Sequence, residues 1–186
     1  IERNDMKNPY TRTPFSKHVK KEIRSMIRIA KILGISLDIH YEAPKPRTLK
    51  ERIQHIFIEI ERYGYLLDAQ TFHNLYRFEL IQFYKEIHDI WNYRLNLTLE
   101  NKRNIVAHDG NLFRNIPRNI SLQPTSDIRE YCVTIIERLT TKANDNSFKQ
   151  MGIMYALGAL TLVNRNFAES LPWLFESFRY TNTNSI

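Results

Sequence analysis

"SFKQMGIMYALGALTLVN", residues 147–164, sets the architecture. Apolar side chains run around most of its helical circumference, and Gly152, Ala156, Gly158 and Ala159 supply small positions that let neighbouring helices approach closely. A helix of this kind has almost no polar face to turn toward water. It belongs at the centre of a helical assembly, and the rest of the chain must supply the helices that cover it.

Those covering helices are legible on both sides. Upstream, "TLKE" offers a capping box, Thr48 with Glu51, ahead of a helix through "RIQHIFIEIERY" to Gly64. "DAQTFHNLYRFELIQFYKEIHDIWNYRLNL" predicts one long helix starting at Asp68 or Thr71. Along it Phe72, Leu75, Tyr76, Glu79, Leu80, Phe83, Ile87, Ile90, Trp91 and Arg94 keep helical spacing. Its aromatics at that spacing read as core, gripped from more than one side. Thr98 caps a short helix, and Asp127 with Glu130 opens another. Residues 109–125, broken by Gly110, Pro117 and Pro124, form the longest irregular stretch, a length at which loops are often functional. Pro172 should kink the last helix or restart it after Ser170. "EAPKPR" reads as a stiff linker and "TNTNSI" as a disordered tail. The expectation is an all-α fold, an irregular bundle of about seven helices. It is organised as an arm over 1–43, a helical domain over 44–180 and a tail over 181–186.

Bulk properties agree with that class. A chain of 186 residues suits one domain, or one domain with an arm. Five glycines are too few for a sandwich or barrel with its many tight turns. The single cysteine, Cys132, excludes an intramolecular disulfide framework and a multi-cysteine zinc site, and fits a reducing compartment. No apolar run reaches the roughly 18–20 residues needed to span a bilayer, and no signal-peptide pattern opens the chain. The first residue, Ile1, points to a piece of a longer or processed chain.

Charge is concentrated at one end. Of the formal +7, residues 1–31 carry nine Lys/Arg against three acids, and the remaining 155 residues carry 18 against 17. "RTPFSKHVKKEIRSMIRIAKILG" predicts the first helix, with Thr13 as its cap, Pro14 at its first position and Gly34 at its end. On its wheel Val19, Ile23, Met26, Ile27, Ala30 and Leu33 share a core side. Lys17, Lys20, Lys21, Arg24, Arg28 and Lys31 fall within an arc of roughly 100° opposite it. Such a face suits phosphates or an acidic protein; the plainer alternative is a solvated helix surface. The face carries no aromatic for stacking on bases and no Asn/Gln/Arg cluster for reading them. The apolar side lacks the Trp expected of a helix lying on a membrane.

Catalytic signatures are missing. No phosphate-binding glycine loop, H-E-x-x-H or G-x-S-x-G occurs. The six histidines stand singly. His88–Asp89 and His108–Asp109 are adjacent pairs, which point about 100° apart on a helix and cannot share a metal. His108, Asp109 and Gly110 read as a helix end; together with the loop over 109–125 they mark the place where an enzyme site could assemble from distant residues. Half-buried His88 and buried Cys132 are expected in the packing, Cys132 with no base nearby. No metal or cofactor is expected. Trp173 beside Pro172 is a candidate anchor for a protein partner.

"NPYTRTPF", residues 8–15, followed by a helix, resembles the closing half of a U-box-like module. There an Asn/Asp-Pro-x-Thr-Arg-x-Pro turn leads into the last helix. Versions of the turn occur in largely uncharacterised proteins of the nucleocytoplasmic large DNA viruses, the giant viruses. "FYKEIHDIWNYRLNLTLENKRNIV", 83–106, and "ALGALTLVNRNFAESLPWLFES", 156–177, resemble the helical region that follows the turn in those proteins. The resemblance implies structural roles for Asn8, Pro9, Thr11, Arg12 and Pro14 and no catalytic residues. A full U-box adds a strand pair and an E2-contact loop that the seven residues before Asn8 do not supply, so ligase activity is not implied. The expectation is a non-enzymatic viral protein, a virion-associated or scaffolding interaction module of the virion or host cytoplasm. Its partner is a protein, or nucleic acid through the basic helix. The alternative is the helical part of a ubiquitin-pathway regulatory protein.

Overall fold

The computed structural model describes residues 13–33, 48–107, 109–143 and 145–180, with the side chains of Lys31 and Tyr180 outside that description. The chain divides into two units, residues 1–45 and 46–186, each considered by itself. Among the described residues the fold is all-α, with nine α-helices and no strand. They are α1 (Lys17–Ile32), α2 (Leu49–Glu61), α3 (Ala69–His73), α4 (Arg77–Asp89), α5 (Leu99–Ile105), α6 (Thr125–Thr141), α7 (Asn146–Val163), α8 (Arg165–Ser170) and α9 (Pro172–Tyr180). A π-helical turn, Ile90–Arg94, continues α4, and a 3₁₀ turn spans Ile120–Leu122.

The first unit contributes α1. Its cap is Ser16, whose Oγ accepts from the Val19 N–H at 3.3 Å. The expected Thr13–Pro14 start is therefore corrected: the serine side chain satisfies the free amide later in the sequence, and Pro14 precedes the helix. The core side is also narrower than its wheel suggests. Val19, Ile23 and Ile27 are half-buried and Ala30 is buried, but Met26 and Leu33 are 70% and 64% exposed. At 100° per residue the covered positions fill about an 80° stripe, and Met26 and Leu33 fall on its flank. Asn8, Pro9, Thr11, Arg12, Gly34 and the "EAPKPR" linker lie outside the described residues, as does the tail over 181–186.

The second unit is organised around α7, which packs against α4, α5, α6, α8 and α9. Ile153, Ala156, Leu157, Ala159 and Leu160 are fully buried along it. The two glycines explain how close the neighbours come. A Cβ on Gly152 would stand 2.2 Å from the Leu139 carbonyl oxygen of α6, and one on Gly158 would stand 2.6 Å from the Phe178 ring of α9. Asp145 caps the helix by accepting from the Phe148 N–H at 2.9 Å.

The surrounding helices start as their sequences dictate. Thr48 and Glu51 form a reciprocal capping box on α2, and Thr98 accepts from the Asn101 N–H at the start of α5. Pro172 restarts the chain as α9 after Ser170 ends α8. Two boundaries differ from expectation. The helix predicted to open at Asp127 begins at Thr125, directly after Pro124, so Asp127 sits within its first turn. The predicted long helix from Asp68 is interrupted between His73 and Arg77. At the break, Arg129 of α6 donates to the Phe72 carbonyl at 3.2 Å and the Leu75 carbonyl at 2.7 Å, and Glu79 accepts from the Tyr76 N–H at 2.7 Å where α4 starts. These bonds satisfy backbone groups that a continuous helix would pair internally.

Candidate functional site

The predicted basic face exists as a face. Lys17, Lys21, Arg24 and Arg28 are exposed, Lys20 is half-buried, and Lys17, Lys21, Arg24 and Arg28 border a recess of about 310 Å³ together with Ser25. Lys31 continues the helix, its side chain outside the described residues. Glu22, the acid within α1, faces His18 at 3.7 Å and so does not neutralise this row. Among the described residues none of these four exposed cations forms a salt bridge.

The cations of the second unit are used differently. Arg52 of α2 grips Glu137 of α6 through Nε and Nη2 at 2.9 and 2.7 Å, and the hydrogen bond to Glu137 raises its pKa. Lys149 of α7 donates to Glu59 at 2.8 Å; that hydrogen bond, opposed by burial and joined by the nearby Arg62 charge, holds the Glu59 carboxyl below its ordinary range. Arg77 donates to the Ser121 and Gln123 carbonyls, each at 2.8 Å. Arg138 donates to the Leu112 and Arg114 carbonyls at 2.7 and 2.9 Å. Residues 109–125 are thus a loop pinned to α4 and α6 by two arginines.

The pinned loop changes the reading of Asp109. Its carboxylate accepts from Arg114 at 2.5 Å and from the Asn111 N–H at 3.0 Å, and the Arg114 bond leads in lowering its pKa. It serves the loop turn. His108 lies outside the described residues. Cys132 is fully buried, its thiol 3.5 Å from the Leu80 carbonyl, and burial pushes its pKa up to about 12. A thiol so far from ionising is a core residue. Trp173 is half exposed at the start of α9. Among the described residues no three His, Cys, Asp or Glu side chains gather to hold a metal ion, and no helix is long and apolar enough to cross a membrane.

One feature of this unit escaped the sequence reading. Tyr76, expected on the core spacing, is about two-thirds exposed, and so are Phe78 and Tyr93. Around Tyr93, a recess of about 600 Å³ is lined by Tyr84, Lys85, His88, Tyr93 and Arg118. Its wall is an aromatic cluster: Phe113 meets Tyr84 edge-on at 5.6 Å and His88 at 5.0 Å, and Tyr93 lies 6.2 Å from His88. The Tyr84 and His88 positions, four apart on a helix, were a usable signal. Tyr93 was not, because the π turn between His88 and it breaks the 3.6-residue period, and Arg118 arrives from the loop. No family model, curated protein or solved structure matches the chain.

Proposed function

We propose that this protein is a non-enzymatic helical interaction module whose α1 contacts the phosphate backbone of nucleic acid. The observation that carries the reading is the contrast in how the two units use their cations. In residues 46–186, Arg52, Arg77, Arg94, Arg129 and Arg138 are drawn into carbonyl and carboxylate bonds; on α1 a row of four cations faces solvent. Free side chains at one-turn spacing suit a linear polyanion, whose release of condensed counterions drives binding without sequence specificity. The lack of an aromatic on that row favours backbone contact over base stacking. The likeness to giant-virus proteins adds a setting, the virion or the infected cytoplasm, with scaffolding on a nucleic-acid-containing assembly as the role.

The test is binding of a mixed-sequence DNA or RNA duplex across a salt series, read by anisotropy. The wild-type chain should bind at low salt, and log K should fall linearly with log salt. Lys21→Ala with Arg24→Ala should lower the magnitude of that slope by about 2. Binding to polyglutamate but not to nucleic acid would reassign the face to an acidic protein. Absence of binding to either would end the electrostatic reading.

A further inference from the structure

The recess on α4 is a built site, and its chemistry is not that of α1. Tyr84 and His88 stand one helical turn apart and form its floor, Tyr84 buried and His88 half-buried. Phe113 packs against both rings and keeps them in place. Tyr93, 66% exposed, stands at the edge as a free aromatic face. Lys85 and Arg118 are exposed at the rim. Neither is engaged in an ion pair among the described residues, and the two carboxylates of this stretch, Glu86 and Asp89, are both bound to Arg94. The recess therefore carries uncompensated positive charge.

Several features make the arrangement preformed. Arg118 belongs to the loop that Arg77 and Arg138 tie down on either side. Tyr93 belongs to the π turn, whose last residue, Arg94, is locked to α4. Tyr84 and Arg118 line the same recess; burial raises the Tyr84 phenol pKa, and the Arg118 charge opposes that rise. A volume of about 600 Å³ falls in the range of small-molecule sites.

We propose that this recess binds a mononucleotide, with Lys85 and Arg118 on the phosphate and the base against Tyr93 and His88. Arginine's planar fork suits a phosphate bidentately, and an aromatic face suits any base because every base has a π surface. The pairing of both chemistries in one concave site separates this ligand from bare phosphate and from a nucleoside. It also separates the site from the aromatic-free row on α1.

The experiment is calorimetric titration of the full chain with AMP and UMP, with adenosine, and with inorganic phosphate. Both mononucleotides should bind at least about tenfold more tightly than adenosine or phosphate. Lys85→Glu and Arg118→Glu should each weaken the mononucleotides by about tenfold or more, and Lys50→Glu, an equal charge change on α2, should not. Tyr93→Ala should bring mononucleotide affinity down to that of phosphate. Circular dichroism confirms that each variant keeps its helices, which exposed rim positions permit. Equal affinities for AMP and phosphate, unchanged binding in both charge reversals, or no mononucleotide binding would each overturn the assignment.

Discussion

Gly152 shows how much can hang on one hydrogen atom. In an ordinary helix interior, replacing glycine by alanine stabilises by up to about 1 kcal/mol, because alanine loses less backbone entropy on folding. Here the added methyl would meet the Leu139 carbonyl oxygen at 2.2 Å and the Ile105 side chain at 3.1 Å. The first of these is backbone, so α6 itself would have to move. Gly152→Ala is expected to destabilise by about 3 kcal/mol, at the upper end for an overpacked core. Gly64 provides the contrast: its φ of +88° strains any side chain, but nothing lies within 4 Å of a Cβ there. Gly64→Ala should therefore cost only about 1 kcal/mol. Urea unfolding of both variants decides the matter; a Gly152→Ala chain as stable as wild type would refute the steric account. The glycine pattern was readable from sequence as close approach. Which helix approaches was not, since that depends on the partner's backbone.

At the level of elements, sequence reading succeeded where local chemistry decides and failed where a distant side chain does. The capping box at Thr48 and the restart at Pro172 are local and were legible. At the break before α4 the Phe72 and Leu75 carbonyls are bonded by Arg129, more than fifty positions away in sequence, and no periodicity announces that partner. The π turn is a second case. Arg94 of Ile90–Arg94 is 6% exposed and pairs with Glu86 at 2.5 Å and with Asp89; its Nη1 is buried without a partner. Spacings of five and eight residues bring these groups together on a widened turn, whereas an α-helix counted at 3.6 would separate Asp89 from Arg94. Removing one member of such a buried pair strands the other. Arg94→Met should lower stability by about 3 kcal/mol, and adding Glu86→Gln should restore at least about 1 kcal/mol. Additive losses in a double-mutant cycle would show that the pair is not coupled and that something else holds the turn.

For the whole molecule, the division of labour between the two units can be tested directly. Every buried apolar side chain among the described residues, other than Ala30, lies within residues 46–186. That unit centres its own core on α7 and supplies its own caps and cross-links, such as Arg52 to Glu137 and Asn164 to Glu79. It holds 17 of the Lys/Arg and 15 of the acidic residues, close to neutrality, whereas residues 1–45 hold ten against five. The charge asymmetry was legible from composition alone. The cationic aromatic recess was not, because its residues come from a helix, a π turn and a loop that only the fold assembles. A chain beginning at Pro46 should therefore fold cooperatively, with a Tm within about 4 °C of the full chain, a difference of about 1 kcal/mol. The same truncation should abolish duplex binding and leave mononucleotide binding intact, since the two ligands are assigned to different units. Thermal unfolding followed by both titrations reads all three outcomes on one sample. A non-cooperative melt would show that the first 45 residues complete the core. Duplex affinity unchanged by the truncation would move the polyanion site off α1 and onto the body.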